Sequence, residues 1–244
     1  YDTTTGILTM YSVGNPAEVH DSIECALRKI IINQANCHDI VYENLDLKYS
    51  GAHGFAGENT ENITIRNCNI SYIGGTRLFG HSGSIRMGNG IELWCAASNI
   101  LIENCMIWQI YDAAVTNQCS TEDSPSDQNN IIYRNNITWD TGTAAFELYN
   151  HDPAAYVENI HFVNNTCFRM GYGWGRQRSD TLHGEGILFY GTLAHPDNIF
   201  IKNNIFINPL YSFLNIQYTS TLFDLSIDNN CYYSTYGSDS IQIG

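Results

Sequence analysis

Short stretches of this chain alternate apolar and polar residues at every second position, and one such stretch recurs. It reads Asn62-Ile63-Thr64-Ile65-Arg66-Asn67-Cys68, Asn99-Ile100-Leu101-Ile102-Glu103-Asn104-Cys105 and Asn130-Ile131-Ile132-Tyr133-Arg134-Asn135-Asn136. It returns as Asn159-Ile160-His161-Phe162-Val163-Asn164-Asn165 and as Asn198-Ile199-Phe200-Ile201-Lys202-Asn203-Asn204. Weaker copies at 39–45 and 224–230 bracket these, and every copy places Asn five residues after its first residue. Alternation at period two predicts a strand with one buried and one exposed face. Self-similarity outranks any single residue, because a repeat fixes the architecture.

A turn and a second alternating stretch follow each copy, at 54–58, 90–94, 114–118, 145–149, 186–190 and 213–217. Between the first Ile or Leu of successive copies the intervals are 23, 37, 31, 29, 39 and 26 residues. A short minimal coil with variable extra loops, and no helical spacing, predicts a parallel β-helix rather than a leucine-rich or helical repeat. The recurring Asn suits a sharp coil turn, since Asn tolerates left-handed backbone, and its amide can bond the Asn of the next coil in a ladder of ~4.8 Å steps. These Asn are read as scaffold. The sequon-like Asn62-Ile63-Thr64, Asn69-Ile70-Ser71 and Asn136-Ile137-Thr138 are discounted with them.

The Asn-Ile rows resemble the right-handed parallel β-helix repeats of the pectate-lyase-like superfamily, over roughly residues 30–243. The expected fold is all-β: a single-stranded right-handed parallel β-helix of about seven to eight coils with long corner loops. The resemblance implies a carbohydrate substrate. It leaves the reaction open, because such proteins include lyases, hydrolases, epimerases, tailspikes and adhesins. Residues 1–29 are expected to form an N-terminal capping segment or the remnant of a preceding region, and 30–244 the β-helix domain. Within the first part, 6–11 predicts a strand, Gly14-Asn15-Pro16 a turn, and Ile30-Ile31-Ile32 the first coil strand.

Charge narrows the partners. Eleven Lys and Arg against 25 Asp and Glu give a formal net charge of −14, which argues against nucleic acid and anionic membranes. No apolar run approaches the roughly 18 residues of a membrane span, so membrane insertion is not expected. The eight Cys follow the repeat, with Cys68 and Cys105 in one column and Cys95 and Cys119 in another. They are read as stacked interior thiols, with disulfides between stacked neighbours if the protein is exported. The expected location is secreted or cell-surface, with Tyr1 beginning a processed or trimmed chain.

Extra residues gather at one corner. The insertions 72–89 and 171–185 are long there, whereas 111–113 and 140–144 between them are short, predicting two walls over a low floor. One outward column of the floor runs Glu92, Thr116, Glu147, Leu188, and the next runs Trp94, Gln118, Tyr149, Tyr190. Glu92 and Glu147 lie two coils apart, about 9.6 Å between backbones, at the upper edge of the roughly 6.5–9.5 Å carboxyl separation of inverting glycosidases. Asp112 enters the coil between them, and with Glu147 it would span adjacent coils, nearer the roughly 5 Å separation of retaining enzymes. These three are the catalytic candidates.

For substrate binding the candidates are His53, Trp94, Gln118, Tyr149, Trp174, Arg176, Arg178, His183 and Tyr190. Aromatic rings suit the axial C–H faces of sugars, and Arg suits a uronate carboxylate. The first wall adds Arg77, His81 and Arg86. No cofactor is expected. The acidic stretch 122–127 could take Ca²⁺ but lacks a spaced ligand pattern, and no His/Cys spacing makes a zinc site.

Three functions follow. The first is a glycoside hydrolase acting on a polysaccharide or oligosaccharide through Glu92, Asp112 and Glu147. The second is a polysaccharide lyase or epimerase on a uronate polymer, using Arg176, Arg178 and His183, or His53 with Tyr190. The third is a non-catalytic solenoid that binds glycan or spaces other domains.

Overall fold

A computed structural model describes residues 4–5, 7, 9–23, 25–77, 86–120, 126–177, 183–191, 195–217, 224–235 and 240–243. Within them the chain winds as a single-stranded parallel β-helix with three faces. The Asn-Ile repeats form one face, through His38–Glu43, Gln128–Arg134, Tyr156–Val163, His195–Lys202 and Leu225–Asp228. A second face, the floor, carries Val115–Cys119, Ala144–Asn150, Glu185–Gly191, Ser212–Ile216 and Ile241–Ile243. Two long strands, Phe55–Arg66 and Ile91–Glu103, run through both faces without a break. The third or back face is a sheet of seven short strands, from Asp46–Ser50 to Cys231–Tyr233. The sequence pattern predicted the first two faces and missed the third, because three to five residues are too few to show a period.

Inward positions stack into columns from coil to coil. Ile63, Ile100, Ile131, Ile160 and Ile199 pair in register and are all buried, as are Phe55, Ile91, Val115, Phe146, Ile187 and Leu214 along the floor. Each such side chain contributes about 1.5–3 kcal/mol on burial. Tyr133 is the large polar-tipped member, and its hydroxyl donates to the equally buried Asn117 Oδ1 at 2.6 Å.

The Asn of the repeat divide their labour differently from expectation. The column Asn44, Asn67, Asn104, Asn135, Asn164, Asn203 and Asn229 has φ between 54° and 58°, the left-handed turn predicted for it. It is not the ladder. The first Asn of each repeat also takes positive φ and forms an exposed ladder, with Asn130 Nδ2 donating to Asn99 Oδ1 at 3.1 Å and Asn159 Nδ2 to Asn130 Oδ1 at 3.2 Å. A second, buried ladder occupies the last repeat position, where Asn136, Asn165, Asn204 and Asn230 bond one another at 2.9–3.2 Å. Each amide has four hydrogen bonds to place inside the corner, and stacked copies satisfy one another. Cys68 and Cys105 continue this column toward the N-terminus as free buried thiols, as the sequence predicted.

Two other expectations are corrected. Cys95 and Cys119 are joined by a disulfide between adjacent floor strands, Cα to Cα 4.8 Å, rather than lying as thiols. No strand forms among the described residues of 6–11, because a lone alternating stretch without a neighbouring strand has nothing to bond. The Gly14-Asn15-Pro16 turn instead caps the one-turn helix Pro16–Val19, the Asn15 side chain accepting from Ala17 N–H. The first coil strand is trimmed to Ile32–Asn33.

Candidate functional site

Glu92 and Glu147 stand on floor strands two steps apart, and Asp112 sits at the corner that leads into the strand between them. Ile91 and Leu93 point into the core, so Glu92 and Trp94 face outward. Register then aligns Glu92, Thr116, Glu147, Leu188 and Asn215 in one outward column, and Trp94, Gln118, Tyr149 and Tyr190 in the next. Both predicted columns therefore exist. Outward-facing here does not mean solvated: Glu92, Asp112 and Glu147 are only 9%, 7% and 3% exposed. Sheltered carboxylates need donors, and each has them.

Glu147 Oε1 accepts from Gln118 Nε2 at 2.5 Å, and from the Thr116 and Tyr190 hydroxyls at 3.4 Å each. Asp112 Oδ1 accepts from Thr143 Oγ1 at 2.9 Å. Glu92 Oε2 accepts from Asn89 Nδ2 at 2.7 Å, while Asn89 Oδ1 accepts from Ala113 N–H at 3.0 Å. Asn89 thus ties Glu92 to the next coil. Sequence reasoning had Asn89 only as the end of a loop; its signal is its place two residues before the strand Ile91–Glu103.

His53 lies in the coil before, buried, with its Nδ1 accepting from Asn89 N–H at 3.0 Å. That bond places the ring proton on Nε2. Glu92 Oε2 is 3.4 Å from the same Nδ1, but two acceptors make no bond, so we read this as close approach rather than an ion pair. The Nε2 of His53 is buried with no partner among the described residues.

The family model "Right handed beta helix region" matches residues 10–243. The chain belongs to the right-handed β-helix family. No curated protein and no solved structure matches it.

The β-helix spreads the remaining predicted residues over three places. Tyr149 and Tyr190 stand together at the far edge of the floor, ring centroids 4.7 Å apart, beside Trp94 and Gln118. Burial first, and the Glu147 charge second, hold the Tyr149 phenol above its ordinary value. Trp174 belongs to the corner: its Nε1–H donates to Gln109 O at 2.7 Å, its backbone N–H to Gln109 Oε1 at 3.0 Å, and its ring sits 5.1 Å from that of Tyr111. Arg176 is exposed, its guanidinium 5.9 Å from the Tyr172 ring. His183 lies half-buried, Nδ1 3.6 Å from Glu185 Oε2. Arg178 and His81 fall outside the described residues, as does most of the acidic stretch 122–127.

One pairing is not brought together. His53 precedes the Phe55–Arg66 strand and Tyr190 lies four floor strands away, about 19 Å at ordinary strand spacing. A further carboxylate emerges instead. Glu185, 1% exposed, opens a floor strand in register with Ala144 and accepts from Gly184 N–H at 2.7 Å and Asn215 Nδ2 at 3.3 Å. Its place in a loop-like Gly-rich run hid it from sequence reading. Among the described residues no group of three His, Cys, Asp or Glu could hold a metal ion, and no helix is long and apolar enough to cross a membrane.

Proposed function

We propose that this β-helix is a carbohydrate-active enzyme, a glycoside hydrolase in which Glu92 and Glu147 act across the Thr116 strand. The observation that carries the reading is their shared outward column, two strand steps apart and sheltered from water. Two steps of about 4.8 Å suit an inverting pair with a water molecule between the carboxylates. In this reading Glu147, held by Gln118, Thr116 and Tyr190, serves as the base and Glu92, held by Asn89, as the acid. Asp112, fixed by Thr143 in the coil between, supports charge on the same floor.

The far-edge aromatics Trp94, Tyr149 and Tyr190 support a saccharide ligand. The Cys95–Cys119 disulfide supports a secreted or cell-surface location. The His53–Tyr190 route to a uronate lyase loses support, since the pair is split and the His53 Nδ1 lone pair is occupied, whereas the route through Arg176, Arg178 and His183 stays open as the second reading.

The testing experiment incubates the protein with neutral and uronate polysaccharides. Reducing sugar released without absorbance from unsaturated uronates supports the hydrolase. Unsaturated products, or glycan binding with no turnover, overturn it.

A further inference from the structure

The two ends of the solenoid present matching strand edges. Among the described residues, Ile32–Asn33 and His38–Glu43 at the N-terminal end pair on one side only, and Asp46–Ser50 adds a single bridge from Leu27 on its other side. Leu225–Asp228, Cys231–Tyr233 and Ile241–Ile243 at the C-terminal end likewise pair on one side only. Inward side chains divide the same way. Ile63, Ile100, Ile131, Ile160 and Ile199 of the coils between are at most 2% exposed, whereas Ile40, Tyr42 and Leu45 at one end and Leu225, Ile227 and Tyr232 at the other are only partly buried. Ahead of the first coil, Tyr11, Val13, Val19 and Ile23 stay exposed and so do not seal that end.

Register fits one end to the other. Every coil repeats the same pairing, so Ile40 and Leu225 belong to one inward column and Tyr42 and Ile227 to the next. Leu47 and Tyr232 share a third column on the back face, and Ile32 and Ile241 a fourth on the floor. A second copy laid on the end, one strand step of about 4.8 Å further on, continues each of these columns apolar on apolar with the strands still parallel. Open strand edges are templates for such pairing. A head-to-tail contact of this kind does not close on itself, so it runs on as a filament.

Two outward columns oppose it. The exposed Asn ladder ends in Asp39 on one side and Asp224 on the other. Within the ladder an amide donates back to the preceding coil, as Asn62 Nδ2 does to Asp39 Oδ1 at 2.8 Å. At a junction Asp39 of one copy faces Asp224 of the next, and neither carboxylate has a hydrogen to give. The column beside the ladder alternates in sign at its start, with Arg66 Nε 3.0 Å from Glu43 Oε1 and Arg134 Nη2 2.8 Å from Glu103 Oε2, and it closes with Lys202 and Asp228. It too is acidic at both ends. A junction sets Glu43 one strand step from Asp228, well inside the ~8 Å over which physiological salt screens charge. All four acids are exposed.

We propose that the two ends of this solenoid are docking surfaces for second copies of the same chain, and that the acid pairs Asp39–Asp224 and Glu43–Asp228 hold the copies apart. Apolar columns and strand direction define the partner as another coil of the same register, and charge decides whether it docks. The inference stands on register and charge alone and does not rest on the hydrolase reading.

The test is sedimentation velocity over a wide range of concentration, with folding of each variant checked by its melting transition. The wild type is expected to sediment as single molecules. Asp224→Lys with Asp228→Lys makes the C-terminal end basic and sets it against Asp39 and Glu43 of the next copy. Open chains whose mean mass climbs with concentration are expected, with association at least about tenfold tighter than in the wild type. Reversing the other end as well, through Asp39→Lys and Glu43→Lys, restores like charge and is expected to return single molecules. Asp224→Asn with Asp228→Asn, the gentler change should the Lys pair not fold, is expected to associate less strongly than the Lys pair but more than the wild type. A folded Lys-pair or Asn-pair variant that stays single overturns the docking surface. Chains that survive reversal of both ends, or a wild type that chains equally well, overturn the role of the acids, and closed dimers overturn the head-to-tail geometry.

Discussion

Asn89 Nδ2 donates to Glu92 Oε2 at 2.7 Å, and the same side chain accepts from Ala113 N–H, so Glu92 is held by a residue anchored in the neighbouring coil. Asn89→Asp keeps the bond from Ala113 but replaces the donor by a second carboxylate beside Glu92. Without the donor Glu92 loses its anchor, so kcat on the same polysaccharide, compared at matched folded fraction, is expected to fall by about tenfold or more. An unchanged kcat contradicts the positioning role of Asn89.

The disulfide closes a 24-residue separation between adjacent floor strands. Constraining a loop of that size stabilises by about 3 kcal/mol in the chain-entropy picture. Cys95→Ser with Cys119→Ser is expected to lose that amount in denaturant unfolding and to become insensitive to added reductant. The wild type should weaken under reductant to match the double variant.

Alkaline stability is set inside the core. Burial pushes the Cys167 thiol up to about 12 and holds the Tyr133 phenol well above its ordinary value. An unfolded thiol ionises near 8.5 and a phenol near 10. These raised values favour the folded state only while the unfolded groups keep their protons, so stability falls as pH rises, through the thiol from about 8.5 and through the phenol from about 10. Unfolding free energy measured across that range should slope downward, and Cys167→Ala should flatten the first part of the slope. An equal slope in the variant contradicts the assignment.

Much of the fold was legible because identical residues recur at identical places: the Ile columns, the left-handed Asn and the paired Cys positions all follow from register. The outward columns Glu92–Thr116–Glu147 and Trp94–Gln118–Tyr149–Tyr190 were legible for the same reason. What escaped reading depends on contacts between coils rather than within them. The buried ladder of Asn136, Asn165, Asn204 and Asn230 looked like a mere repeat ending, because sequence does not say which of two adjacent Asn turns inward. Trp174 looked like a sugar platform, yet its partners Gln109 and Gly75 are 65 and 99 residues away in the chain. Asn89 and Glu185 sit where a loop becomes a strand, and only the register of the floor assigns them to it.

If Glu92 and Glu147 are the working pair, Glu147→Gln removes the base and leaves the floor intact. Gln keeps the shape of the side chain and the Oε1 acceptor that receives Gln118, Thr116 and Tyr190. The measurement is reducing-sugar release by this variant beside the wild type on the same polysaccharide, at matched folded fraction from the melting transition. Loss of turnover by about 10²–10⁴-fold, with the transition nearly unmoved, is the predicted result. Full turnover in Glu147→Gln contradicts the claim.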